Sequence, residues 1–302
     1  MSIFEPVTRM SIDLAKAAAT LNDDEARFLV SAYYTMQENR IRTSAQVRAL
    51  SESDEPHDVL SWLNDQDTVL ETQIRRALKR YAESTSLGDW ALSVKGIGPV
   101  ITAGLLAHID FTPWRCQIPA SQRKSNHKCS EKEPCTSGCK REPIQTAGAI
   151  WRFAGLDPTQ SWEKGQRRPW NAALKRLAWL AGESFVKVSG DEDALYGRFY
   201  RERKDLEMER NAAGHFAGQA ANMLQRKNFG RDTQARAHYE AGHLPPAHIH
   251  ARAKRYAVKI FLSHYFEKGY ELLHGKKPPL PFAIAILGHA HKIDPPNFKK
   301  AS

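Results

Sequence analysis

Four cysteines, Cys116, Cys129, Cys135 and Cys139, fall within 24 residues of this 302-residue chain, and it has no others. Their spacing is C-x12-C-x5-C-x3-C, with Gly138 placed for a tight turn inside the last pair. Four thiolates are the ligand set of a closed, tetrahedral structural zinc site. They leave no open coordination position, so the expected role of Zn2+ is that of a staple rather than a catalyst. His127, two residues before Cys129, is the substitute ligand if one cysteine is spare. An iron–sulfur cluster takes the same four sulfurs, and free surface thiols are the third reading. Residues 112–146 are rich in Cys, Lys, Ser and Pro and carry hardly any apolar periodicity, so a metal is what would fold them. Arg123, Lys124, Lys128, Lys132, Lys140 and Arg141 make the same segment basic.

A second signal lies upstream, in Leu92-Ser93-Val94-Lys95-Gly96-Ile97-Gly98-Pro99-Val100. Gly96 and Gly98 allow a sharp turn, because glycine reaches positive φ without penalty. Pro99 suits the first turn of a new helix. Ile97 is expected to plug the gap between two helices, with Val100, Ala103, Leu106 and Ala107 packing the second. Such a helix-hairpin-helix points main-chain N–H groups outward at a helix N-terminus, where they bind phosphate. Lys95 adds charge beside them. A contact of this kind holds a duplex without reading its bases. A plain turn between two helices, with no ligand, is the alternative.

Further candidate contacts follow. Arg152, Lys164, Arg167, Arg168, Lys175 and Arg176 are interleaved with Trp162, Trp170 and Trp179. Aromatics stack on unpaired bases and arginines hold phosphates, although Trp179 reads better as helix core. His243, His248, His250 and His264 gather near the last long helix, where a metal site is conceivable. The formal net charge is +10, from 44 basic and 34 acidic residues, which favours a polyanionic partner such as DNA or structured RNA. No run reaches the ~20 apolar residues of a membrane span, and the start of the chain does not read as a signal peptide. The expected location is the cytoplasm, where thiols stay reduced.

The elements that must position these residues are helices. Apolar residues recur at helical spacing over 11–49 and again over about 58–84, where Val59, Leu60, Leu63, Val69, Leu70, Ile74, Leu78 and Tyr81 line one side. The 58–84 helix reads first as an ordinary bundle helix, and it also suits a helical hairpin or a homodimer interface. Helices are expected at about 147–155, 169–187, 191–210 and 247–273, with 211–245 less regular and a short helix possible at 282–290. The predicted fold is mainly α: a helical bundle with a helix-hairpin-helix and an inserted four-cysteine zinc knuckle. It divides into an N-terminal helical region (1–87), a hairpin region (88–210, insertion at 112–146) and a C-terminal helical region with a basic tail (211–302).

Several stretches resemble a known family. Residues 92–109 look like the helix-hairpin-helix of the bridge-RNA-guided DEDD insertion-sequence transposases. Ala149-Ile150-Trp151-Arg152-Phe153-Ala154-Gly155-Leu156-Asp157-Pro158 is similar to that family's Phe-Ala-Gly-Leu-x-Pro stretch. Lys164-Gly165, Asn171–Leu177 and Phe199–Arg203 resemble its later basic turn and helices. The resemblance covers about 88–210, the C-terminal transposase domain, and extends to the helix at 251–272. It implies nucleic-acid binding in a mobile element, phage or plasmid. It also makes Ser161 the candidate nucleophile. In that family a carboxylate-bearing RuvC-like domain precedes this region; here 1–87 reads as helical, so that active site is not expected in it. The expectation is therefore a binding protein that is not catalytic alone. The alternatives are a recombinase using Ser161 with a DEDD partner subunit, and a dimeric helical scaffold.

Overall fold

The apolar rhythm that begins at Ile12 is interrupted at Asn22. The computed structural model describes residues 9–52, 57–119, 122–124, 126–279 and 293–296. In it α1 (Ile12–Ala17) runs into a short 3-10 turn (Ala18–Thr20), and α2 (Asp23–Ser51) starts afresh. The Asn22 side chain accepts from the Glu25 N–H at 3.0 Å, and the Glu25 carboxylate accepts from the Asn22 N–H at 2.8 Å. This reciprocal cap satisfies two amides at a helix start. One helix expected over 11–49 is therefore two.

The helices that follow are α3 (Asp58–Ala82), α4 (Ser86–Ser93), α5 (Pro99–His108), α6 (Ala147–Phe153), α7 (Ala172–Lys187), α8 (Leu195–Ala212), α9 (Ala217–Arg226), α10 (Gln234–Glu240) and α11 (Pro246–His274). Among the described residues the only strands are β1 (Trp114–Arg115) and β2 (Lys140–Arg141), an antiparallel pair with Trp114 opposite Arg141. The chain is mainly α, as its periodicity predicts. The stretch 211–245 is more regular than expected, because it holds α9 and α10. The helix considered at 282–290 and most of the basic tail lie outside the described residues. No described helix is long and apolar enough to cross a membrane.

Two compact units emerge. The first takes in residues up to 92, then 98–150 and 266–292. Here α2 and α3 pack as an antiparallel hairpin. Tyr33 and Arg40 on α2 both reach Glu71, while Thr43 reaches Asp67 and Ser44 reaches Asn64. α5 packs on both helices, and Leu78, Trp90, Ala103 and Leu105 are nearly sealed from solvent. Each such large apolar side chain contributes about 1.5–3 kcal/mol by leaving water. The apolar stripe predicted on α3 is only partly covered: Leu78 and Tyr81 are buried, but Val59, Leu63 and Leu70 are exposed. Gly88 is obligatory, since a Cβ there would lie 1.9 Å from the Ala82 carbonyl oxygen.

The second unit takes in 93–97, 151–265 and the residues from 293. Phe185 on α7, Tyr196 on α8 and Phe261 on α11 form its aromatic centre, with ring centroids 5.1–5.5 Å apart. Gly197 lets α8 lie close to the chain at Ser189, whose Cα would be 2.8 Å from a Cβ. A satellite core of Phe216, Ala220, Tyr239, Leu244 and Ile249 joins α9, α10 and the start of α11.

Glu71 is the polar hub of the α2–α3 pair. Burial on its own raises its pKa, but hydrogen bonds from Arg40, Tyr33 and Gln37 outweigh that and hold the carboxyl below its ordinary range. The unfolded chain then binds a proton at Glu71 at a pH where the folded chain does not, so stability from this group is present above the ordinary carboxylate range and is lost as pH falls through the folded pKa. Replacing Glu71 by Gln is expected to cost about 2 kcal/mol at neutral pH. Urea denaturation at pH 7 and pH 3 should show the difference between the two proteins shrinking in acid; an equal difference at both would contradict the assignment.

Candidate functional site

The four cysteines meet. Their sulfurs all lie within 4.8 Å of one another, with Cys116 and Cys135 at 3.4 Å and Cys135 and Cys139 at 3.5 Å. None is in a disulfide. A tetrahedral ion with metal–sulfur bonds of about 2.3 Å separates its sulfurs by roughly 3.8 Å, so the four thiols could hold one metal ion. Among the described residues no other group of three or more Cys, His, Asp and Glu side chains has this property.

The backbone explains how such an irregular spacing converges. The insertion is closed at its neck by β1 and β2, by the Ile144 N–H donating to Phe111 O at 2.9 Å, and by the Glu142 N–H donating to Pro113 O at 3.2 Å. Arg141 ties Asp110 to Glu131 across the same neck. Cys116 leaves β1 and Cys139 enters β2, so both are delivered to the same end. The turn that closes Cys135–Cys139 has the Cys139 N–H donating to Thr136 O at 3.1 Å.

Donors surround the sulfurs. The Trp114 indole N–H points at Cys129 Sγ at 3.3 Å, and the Gln117 N–H at Cys139 Sγ at 3.5 Å. The Thr136 hydroxyl lies 3.2 Å from Cys139 Sγ. With the Gln117 N–H, it brings the Cys139 thiol down to about 6. Cys129 is also lowered, chiefly by the Cys135 N–H and then by Trp114. Cys135 is pushed up to about 12, by burial first and then by its sulfur neighbours. A thiol crowded by thiolates resists ionisation, and a cation among them reverses that. His127 Nε2 stands 3.4 Å from Cys116 Sγ, at the margin of the cluster, where a substitute ligand would have to be. The supporting donors Trp114, Gln117 and Thr136 were not legible as such, because only the folded neck brings them to the sulfurs.

The glycine turn is built much as its sequence suggests, with two differences. Gly96 has φ +96°, and the Ile97 N–H donates to Val94 O at 2.9 Å, closing a tight turn. Gly98 instead is extended, at φ −98° and ψ 175°, and caps α5, with Pro99 at the first helical position. Ile97, Val100, Ala103 and Ala107 are buried as expected, while Leu105 takes the deep position expected of Leu106. The other difference concerns Lys95. It pairs with Asp191 and stands 3.9 Å from Asp193, and the hydrogen bond to Asp191 raises its pKa. The Ser184 hydroxyl donates to Gly96 O. Nothing in the local sequence pattern marks Asp191 as the partner of Lys95.

The remaining candidates scatter. Arg152, Lys164, Arg167 and Arg176 are exposed, and Arg168 lies over the Trp162 ring at 5.4 Å. Lys175 lies over Trp170 at 3.9 Å. Trp179, expected in the core, is 57% exposed. Ser161 is exposed in the loop before α7, and no described side chain hydrogen-bonds it. The histidines do not converge: His248 meets Tyr239, His250 meets Tyr200, His264 meets Tyr196, and His243 bonds the Asn211 carbonyl. Comparison with protein-family models, with curated proteins and with solved structures finds no match to this chain.

Purified protein is expected to carry about one metal ion per chain, measurable by elemental analysis. Cys135→Ser should lower that content severalfold and expose 112–146 to proteolysis. A fully folded, metal-free preparation would contradict the site.

Proposed function

We propose that this chain is a nucleic-acid-binding protein of the mobile-element type, that a structural Zn2+ held by Cys116, Cys129, Cys135 and Cys139 staples its basic insertion, and that it works in the reducing cytoplasm. The observation that carries the binding reading is the start of α5. The N–H groups of Gly98, Val100 and Ile101 have no acceptor among the described residues. The space where a Gly98 side chain would project is open to beyond 4 Å. Free amides at a helix N-terminus, with the helix dipole behind them, favour an anionic ligand such as a backbone phosphate. The net charge of +10 agrees with that. The resemblance of 88–210 to a transposase domain supports the same reading. Lys95, already paired with Asp191, plays the smaller part.

Zinc is preferred over an iron–sulfur cluster because the four sulfurs are spaced for a single tetrahedral ion. A colourless protein with zinc by elemental analysis supports that choice. Visible absorption that bleaches on reduction would point to iron and sulfide instead.

Gly98→Asp separates the ligand role of the α5 amides from their structural role. The position is an N-cap with extended backbone, so an aspartate there is compatible with the fold and should stabilise the helix by a few tenths of a kcal/mol or more. Its carboxylate would occupy the amides and repel phosphate. The expected result is a melting temperature no lower than wild type, with affinity for duplex DNA or structured RNA down about tenfold and a shallower dependence on salt. Unchanged affinity and salt slope would remove the α5 amides as the contact.

A further inference from the structure

A cavity of about 720 Å³ opens in the second unit, between the loop after α6, the middle of α7, α8 and the exposed side of α11. The Gly155-Leu156-Asp157-Pro158 stretch forms one wall. Gly155 is needed to shape it: its φ is +65°, and a Cβ would lie 2.8 Å from the Trp170 ring. Gly182 sets the opposite approach, with Val258 3.2 Å from where its Cβ would be. A volume in the range of about 300–1,000 Å³ is that of a small-molecule site.

Six cationic side chains and two carboxylates line it, an excess of four positive charges. Some of these are balanced internally. Arg203 and Arg252 both pair with Glu207, whose side chain is 0% exposed. Burial alone raises the Glu207 pKa, but the two guanidiniums reverse that and hold it low. Lys254 pairs with Glu183. Asp157 accepts from the N–H and hydroxyl of Thr159 at 2.9 and 2.7 Å.

Lys175, Arg255 and Lys259 remain. None has an ion-pair partner within 4.0 Å among the described residues. Lys175 sits over Trp170 and Lys259 over Trp151, at 3.9 and 5.0 Å from the ring centroids. All three have lowered pKa values. Burial is the first cause in each; Arg168 and Arg255 add to it at Lys175, Arg252 at Arg255, and Arg255 at Lys259, where Asp157 opposes the shift. Cations crowded together in a concave site focus a positive field into it. A mutually repelling cluster of this kind is costly unless an anion completes it.

We propose that this cavity is a binding site for a phosphate group carried by a nucleotide, with Lys175, Arg255 and Lys259 as the phosphate ligands and the Trp179 indole as the surface on which the base stacks. Trp179 lines the cavity and leaves 57% of its surface open, with the Lys254 ammonium 5.7 Å from its ring centroid. An indole face stacks any base. A concave site of single-nucleotide size takes a free nucleotide or the 5′-phosphate end of a strand, and not the interior of a duplex. The inference goes beyond the binding at α5 and uses none of its residues.

The test is calorimetric titration of the full chain with ATP, and competition by short single strands that carry a 5′-phosphate or a 5′-hydroxyl. ATP, the 5′-phosphorylated strand or both should bind saturably, and Arg255→Gln and Lys259→Gln should each weaken that binding about tenfold or more, the value of one charge-assisted contact. A phosphorylated strand that outcompetes its hydroxyl counterpart identifies a strand end as the source; equal, weak competition identifies the free nucleotide. The melting temperature of each variant without ligand should be equal to or above wild type, since one of the repelling charges is gone. A lower value would make the cation a structural group and overturn the proposal, as would affinities unchanged in both variants or no saturable binding of either probe. Gly98→Asp is the control: its binding of ATP should be that of wild type, whatever becomes of its duplex binding.

Discussion

A carboxylate can be buried in a folded chain only if cations or donors meet it there. Both units are organised around this constraint. In the first, Glu71 collects Arg40, Tyr33 and Gln37 and so fixes how α2 lies along α3. In the second, Glu207 on α8 collects Arg203 from its own helix and Arg252 from α11. These pairings consume acidic groups in a chain that already has ten more basic residues than acidic ones. The excess must therefore appear somewhere as cations without partners. In the second unit some of these cations, such as Lys164 and Arg167, are exposed, and three, Lys175, Arg255 and Lys259, line one cavity. The same constraint that holds the helices together thus leaves uncompensated cations in one concave part of the second unit.

The four-cysteine insertion obeys a different rule. Residues 112–146 bury few apolar groups beyond Ile144 and Cys139, and a two-residue strand pair is too short to stand alone. Its neck hydrogen bonds bring the ends together, but the sulfurs supply what cohesion the tip has. Burial first, and then its sulfur neighbours, make Cys135 resist losing its proton, while hydrogen bonds from Thr136 and Gln117 at Cys139, and from the Cys135 N–H and Trp114 at Cys129, make those thiols ionise more easily. Once ionised, four thiolates within 4.8 Å repel one another; a divalent cation among them would turn that repulsion into attraction, and the donors Trp114, Gln117 and Thr136 would help to orient the sulfurs.

Much of this was legible in the sequence because it is local. Helical periodicity placed α3, α7, α8 and α11 within a few residues, and the clustering of the only cysteines in the chain marked the four-thiol cluster that could hold a metal. The misses are of four kinds. The cap at Asn22 outweighed the continuing apolar rhythm, since two satisfied amides favour a new start over an unbroken helix. α9 and α10 are short and pack on each other, so their periodicity is too brief to read. The cavity was invisible because its parts come from 155–158, α7, α8 and α11, and because Trp179 reads as a core residue when only its own helix is considered. Each histidine near α11 found a separate tyrosine or carbonyl, which proximity in sequence could not foretell.

Lys95 shows why a cation in a motif is a weaker guide than its surroundings. It stands beside the glycine turn, where a phosphate-binding lysine is expected, yet Asp191 has already taken its charge. An ion pair at an exposed site is worth little to the fold, but it dims the field that an approaching polyanion meets. The amides at the start of α5 have no such internal competitor, and Gly98 leaves the space before them open. Arg255 and Lys259, by contrast, match no motif, and Lys175 stands in one only as part of a cation–tryptophan run; all three lack an ion-pair partner among the described residues and line a concave site. On the proposed reading, anions would therefore be held where internal compensation stops, at unpaired amides and at crowded cations, more than at the lysine that the pattern singles out.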